Sequence, residues 1–311
     1  MITVVWFKRD LRVTDHAPLH DAARRGPVLP VYLFEPELIA QADSSPRHLG
    51  FILECLAELE ARLAALGSPL QRWQGTAVEV LQALRERLGP FRLSSHEETG
   101  NLASYARDRA VARWCRAQGV EWQQWPSGGV VRRLHDRDAW SRLWMERMTP
   151  TPLAAPAALQ PPPCPIPSPL HLPPGGAPRH LAWHPDTLPD HPARQQGGRS
   201  HARQLLRHFF DQHLPDYRRG MSSPLSAGDA CSRLSPYLTF GAVSVREIVH
   251  AVWRRRTELQ AMPPDLRPRG ELPGLKSFES RLHWHCHFIQ KLESEPELEC
   301  RDMHPAFAGL R

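Results

Sequence analysis

Lysine is nearly absent: Lys8, Lys276 and Lys291 are the only three in 311 residues, yet the formal net charge is +6. The basic excess is therefore arginine, whose planar fork can donate two hydrogen bonds to one phosphate. A GC-rich coding sequence raises Arg, Ala and Pro together, and all three are abundant, so the charge permits nucleic acid as a partner without requiring it. Also missing is any apolar run of about 18 residues, which excludes a bilayer-spanning helix, and no membrane is expected as a partner. The segment Met1–Trp6 turns charged at Lys8-Arg9-Asp10 before a secretory apolar core can form, so a cytoplasmic location is expected. No CxxC pair occurs. The six cysteines (Cys55, Cys115, Cys164, Cys231, Cys286 and Cys300) are scattered, which argues for reduced thiols rather than a disulfide framework.

What is present is enough apolar material for a packed core, 41% of residues. Short apolar runs at Thr3–Phe7, Val28–Phe34, Leu70–Gln74, Arg92–Ser95 and Val120–Trp125 read as strands. Helical stretches separate them: Pro18–Arg25, a long one from Ser45-Pro46 to Leu66, one opened by the Thr76/Glu79 capping box, and Leu102–Gln118. Strands alternating with helices of this length require parallel crossovers, so the first part is an α/β doubly wound parallel five-stranded sheet. From residue 149 to 197 the composition shifts to Pro, Ala, Leu and His, and Pro161-Pro162-Pro163 and Pro173-Pro174-Gly175-Gly176 predict an extended connector without regular structure. Beyond it the pattern is helical at His201–His213, at Ser244–Arg256 with Ser244 capping and Glu247 three residues on, and at Phe278–Leu292. Residues 198–311 are therefore expected to be all-α.

Four segments carry chemistry. Val4-Val5-Trp6-Phe7-Lys8-Arg9-Asp10-Leu11-Arg12 and Ser95-His96-Glu97-Glu98-Thr99-Gly100-Asn101 both end strands at the carboxyl edge of the sheet, where open α/β sheets bind ligands. Cys231-Ser232-Arg233-Leu234-Ser235-Pro236-Tyr237-Leu238-Thr239-Phe240-Gly241 offers the hydroxyls of Ser232 and Ser235, backbone amides and the Arg233 guanidinium to a pyrophosphate at a helix start. Phe278–Leu292 places aromatics and histidines on one helix. There His283, Cys286 and His287, with Cys300 and His304 downstream, have a spacing that could hold zinc, but no metal is expected because the same stretch has a better account.

That account is a resemblance. The opening strand and loop, the segment Gly129-Val130-Val131-Arg132-Arg133-Leu134 before Arg137-Asp138 and Trp140, the Cys231–Gly241 segment and the Phe278–Leu292 helix resemble a bacterial branch of the cryptochrome/DNA photolyase family. The resemblance implies an antenna domain over residues 1–148, a connector over 149–197 and the first part of a helical FAD-binding domain over 198–311. It implies FAD as cofactor, contacted by Tyr217, Cys231, Ser232, Arg233, Leu234, Ser235, Phe278 and His285, and an antenna chromophore that is a folate, a deazaflavin or a flavin nucleotide. Arg281 and Trp284 match positions that meet the DNA lesion, with Trp284 stacking on a flipped-out base. Arg281 stands where the best-known pyrimidine-dimer enzymes carry a glutamate, and His285 where they carry an arginine. The implied function is light-dependent repair of pyrimidine dimers in DNA, a carbon–carbon lyase reaction driven by excited reduced FAD. The alternatives are a blue-light receptor without repair activity and an inactive truncated remnant. The family closes its flavin cage with segments downstream of the Phe278–Leu292 helix that these 311 residues do not contain. Poor flavin retention by this form is therefore expected, with the apolar faces of its last two long helices exposed. No catalytic side chain and no oligomeric state is implied.

Overall fold

Alternate residues of the first strand enter two different cores, and this organises the whole chain. A computed structural model describes residues 1–163, 166–178 and 194–309. Residues 164–165 and 179–193 of the expected connector, Cys164 among them, lie outside the described residues. The α/β part runs β1 (Ile2–Phe7), α1 (Ala17–Arg25), β2 (Val28–Phe34), a short α2 (Pro36–Ile39), α3 (Pro46–Ala65), β3 (Gln71–Gln74), α4 (Ala77–Leu88), β4 (Phe91–His96), α5 (Leu102–Gln118) and β5 (Trp122–Trp125). These five strands are parallel in the order β5-β4-β1-β2-β3, with registers such as Val5↔Pro30 and Val5↔Ser94. The expected crossovers are all present, and both capping boxes form, at Thr76/Glu79 and Ser244/Glu247.

Strand geometry sends successive side chains to opposite faces. Val4, Trp6, Leu29, Val31 and Leu33 pack with α4 and α5 on one face. Val5, Phe7, Val28 and Phe34 face the other way, into a cluster that includes α1, α3 and the buried faces of the later helices. Fully burying such side chains contributes about 1.5–3 kcal/mol each.

Those later helices are α6 (Trp140–Met148), α7 (Arg199–His208), α8 (Leu214–Gly220), α9 (Ala227–Ala230), α10 (Ser235–Thr239), α11 (Val245–Ala261) and α12 (Glu271–Ser294). Four features differ from the sequence expectation. The connector is not free of regular structure: His171–Leu172 forms β6, pairing antiparallel with β3 through Arg72↔Leu172 and Trp73↔His171, so the sheet has six strands. The stretch expected as one helix to His213 widens into a π turn at Phe209–His213. Pro215, just beyond it, has no N–H with which to close an α-helical bond to the Asp211 carbonyl. α12 starts seven residues before Phe278, because Pro273 is tolerated in a first turn and Gly274 lets the helix lie against the Leu214 carbonyl, where a Cβ would overlap. Finally, α11 exposes no large apolar side chain: Ile248, Val249, Val252 and Leu259 are buried, with α6 and α12 packed beside it. α12 does leave Trp284 and Phe288 exposed, 48% and 52%. Among the described residues no helix is long and apolar enough to cross a membrane.

Candidate functional site

The loop that leaves β1 holds a buried carboxylate between two imidazoles. Asp10 Oδ2 lies 2.9 Å from His16 Nε2 and 2.6 Å from His96 Nδ1, while Asp10 Oδ1 accepts the Lys8 amide at 2.7 Å. His16 caps α1, its Nδ1 accepting the Leu19 amide at 3.1 Å, so its proton sits on Nε2 and is donated to Asp10. These hydrogen bonds and the two imidazoles hold the Asp10 carboxyl well below its ordinary value against the opposing effect of burial. Burial pushes His96 down to about 4 and lowers His16 as well. The three ligating atoms lie within 4.8 Å of one another, the one such grouping among the described residues, but the Leu19 contact leaves a proton where a cation would bind. The His283, Cys286 and His287 set does not converge. His283 packs 4.5 Å from Trp140 and 5.0 Å from Trp144, and Cys286 is buried.

Above this hub, the carboxyl edge of β1, β2 and β4 opens into a cavity of about 410 Å³ whose walls include Trp6, Lys8, Glu35, Asn101, Arg107 and Phe240. Arg107 bridges Glu35 at 2.9 Å and Glu98, and Lys8 meets Asp108 at 3.0 Å. The carboxylates push the Arg107 guanidinium up despite its burial, and the Arg107 and Lys8 cations bring Glu98 down to about 2. Both cations lie over the Trp6 ring, at 4.7 and 4.9 Å. A second cavity of about 360 Å³ separates the same edge from the helical part and is lined by His96, Glu97, Gly129, Thr239 and His285. Burial raises the Glu97 carboxyl, and one of its oxygens has no partner.

On the outer side of α12 lies an open groove of about 580 Å³, lined by Arg218, Met221, Leu272, Lys276, Arg281 and Trp284. The Arg281 guanidinium sits 5.1 Å over the Trp284 ring. The groove has three cations, no carboxylate and a half-exposed indole, a combination suited to a polyanion carrying flat rings.

Residues 3–134 match the family model described as DNA photolyase. Across 95% of its length the chain is 28% identical to a deoxyribodipyrimidine photo-lyase of Vibrio cholerae, and across 79% it is 27% identical to cryptochrome-2 of Arabidopsis thaliana. In fold it is similar to a bacterial class III photolyase from Agrobacterium tumefaciens, with a TM-score of 0.76 over 99% of this chain and 62% of that one, at 22% identity. Residues 3–134 belong to the DNA photolyase family, and over its remaining length the chain is similar to photo-lyases and cryptochromes. It spans about three fifths of the length of the photo-lyases it matches, 62% of the Vibrio cholerae protein.

Within the chain the residues expected to contact FAD line more than one space. Tyr217 and Phe278 are buried together, 5% and 3% exposed, in an aromatic cluster with Phe209. The Tyr217 hydroxyl is pushed up to about 12, chiefly by burial, with Cys231 adding to the rise and Arg281 opposing it. Ser232, Arg233 and Leu234 lead into α10; Leu234 is buried and Ser235 is the first helical residue. Arg233 adopts φ +56°, a left-handed conformation costly for a residue with a Cβ, and its carbonyl accepts Gln195 Nε2 at 2.7 Å. Among the described residues the side chains of Ser232, Arg233 and Ser235 make no hydrogen bond or ion pair, so their donors remain open. That donor set fits an anionic phosphate group; α10, at five residues, adds little dipole of its own. Arg281 and Trp284 share the outer groove, whereas His285 lines the inner 360 Å³ cavity. Adjacent helical residues point about 100° apart, which is why Trp284 and His285 serve different spaces.

Asp10, His96 and Glu98 lie in the two edge segments that the sequence singles out, but the sequence assigns them no specific role and does not point to His16, Glu35 or Arg107. A charged residue directly after a strand, such as Glu35 after β2 or His96 ending β4, was the available signal, since those positions face the ligand-binding edge.

Proposed function

We propose that this chain is the antenna and lesion-reading part of a light-dependent DNA repair flavoprotein acting on pyrimidine dimers. The observation that carries the reading is the outer groove, with Trp284 half exposed among Arg218, Lys276 and Arg281. Arg218 and Lys276 would hold backbone phosphates, which position the strand without reading it. Trp284 would stack on the extruded base, and Arg281 over its ring would keep the indole in place and meet the negative charge of the strand. FAD would be held through Ser232, Arg233, Ser235 and the amides of Cys231 and Leu234, with Tyr217, Phe278 and His285 as walls. Bound reduced flavin would supply the one-electron chemistry that opens the dimer. In this reading residues 1–148 form the antenna unit, 149–197 the connector and 198–311 the flavin and DNA unit. The 410 Å³ cavity at the sheet edge is then the place for the antenna chromophore.

The test is to incubate the chain with FAD under reducing conditions and irradiated oligothymidylate, then count remaining dimers after blue light and after darkness. Light-dependent loss of dimers supports repair. Flavin retained by the protein without any such loss overturns repair and leaves the light-receptor reading.

A further inference from the structure

A smaller cavity on the opposite side of the β1 loop has no place in that reading. It encloses about 240 Å³ between residues 11–14, α3 and the start of α7, and its lining carries four guanidinium groups, from Arg12, Arg62, Arg199 and Arg203, against one carboxylate, Glu58. Glu58 is already engaged: it accepts the Ser200 amide at 3.0 Å and the Ser200 hydroxyl at 2.7 Å, capping α7. Arg199 is paired with Glu247. Three cations, from Arg12, Arg62 and Arg203, then face the single Glu58 carboxylate, whose bonds to neutral Ser200 leave its charge in place.

Arg12 is the decisive one. It is 8% exposed, and both terminal nitrogens donate to carbonyl oxygens, of Gly241 and Asp15, each at 3.0 Å. Its Nε has no partner at all. A guanidinium that ends on carbonyls keeps its whole charge, and the nearby Asp15, Glu247 and Asp10 carboxylates offset the cost of burying it only in part. Asp15, the nearest candidate, spends its carboxylate on Arg246 and Ser244. Arg62 and Arg203 are exposed at the rim and make no ion pair or hydrogen bond among the described residues. The remaining wall is apolar, with Leu59 and Ala155 among its residues. The volume equals that of about eight waters, enough for a phosphate with a small carbon body and far too little for a flavin. Arginine forks match phosphate geometry in pairs.

We infer that this cavity binds a compact phosphate-bearing small molecule, such as a phosphate monoester, which bridges the sheet and the helical part. The loop and α3 belong to the α/β part and α7 to the helices, so the ligand would touch both. A molecule that binds only the folded chain raises its stability by mass action.

The experiment titrates the whole chain with inorganic phosphate and with methyl phosphate by calorimetry, ionic strength being held constant with sodium chloride. Melting is followed in parallel. The expected result is saturable binding at one site and a melting rise of several degrees at roughly a hundredfold excess over Kd. Arg62→Gln with Arg203→Gln should weaken binding at least tenfold while leaving the unliganded melting temperature unchanged, and Arg203→Glu should do the same. Absence of saturable binding overturns the inference, as does undiminished binding in both variants. Undiminished binding would place the phosphate elsewhere, for instance at Ser232 and Arg233. Neither readout involves flavin or DNA, so the result stands apart from the repair reading.

Discussion

Acidifying the protein from pH 7 to pH 5 should destabilise it, and His96 should account for a large part of the loss. His96 is 5% exposed, and burial brings its imidazole down from 6.5 to about 4, outweighing the favourable bond to Asp10. Between those two values the unfolded chain binds a proton that the folded chain does not, so stability rises with pH through this window and falls on acidification. A shift of this size corresponds to about 3 kcal/mol in full, of which about 2 kcal/mol is lost between pH 7 and pH 5. His16 is lowered too, so it contributes in the same direction. The Asp10 carboxylate, held well below 3.8, keeps its charge across the window and adds its own loss only below it. The assay is urea unfolding at pH 7, 6 and 5 for the native sequence and for His96→Asn, whose amide can still donate to Asp10 but cannot titrate. The variant should lose about 2 kcal/mol less than the native sequence over the same interval. Equal losses in the two proteins would refute the argument, because His96 would then titrate in the fold as it does in the unfolded chain.

Other expectations are simpler. Gly241 has φ +67° and a Cβ there would overlap the Arg9 carbonyl, so Gly241→Ala should cost at least about 1–3 kcal/mol, read as a lower melting temperature. Gln290 bonds both the amide and the carbonyl of Val131, at 2.7 and 2.9 Å; Gln290→Leu leaves both half-buried groups short of a partner and should lose about 1–2 kcal/mol in the same assay. Trp284→Ala should leave urea stability within about 1 kcal/mol, since the side chain is half exposed, while weakening binding to dimer-containing DNA by about 1–3 kcal/mol. Lys276→Ala should reduce the salt dependence of DNA binding by roughly one unit of slope, measured by fluorescence anisotropy across a salt series.

The parallel sheet was legible in the sequence because each strand is a short, buried apolar run between helices with readable ends. The Leu102–Gln118 helix and both capping boxes are local patterns, complete within a few residues, and the structure places them as read. Strand β6 was not legible: two residues have no periodicity, and their pairing depends on Arg72 and Trp73, far earlier in the chain. The same holds for chemistry. Asp10 and His96 are 86 residues apart, Glu35 and Arg107 are 72 apart, and only the topology brings them together. Helical phase, by contrast, could have been used more fully. It already places Trp284 beside Arg281 and sends His285 a quarter-turn away, toward the interior.

The two faces of the sheet are completed at different times. The face built from Val4, Trp6 and Val31 is covered chiefly by α4 and α5, complete by residue 118, with Ile166 added later. The face built from Val5 and Phe7 shares its cluster with Leu275, Phe278 and Cys286 on α12. At ribosomal speeds of roughly 5–20 residues per second, the strands of a nascent chain would wait about ten to thirty seconds for those side chains. During that interval α1 and α3 already cover part of this face, and only the portion that meets α12 is left unfilled.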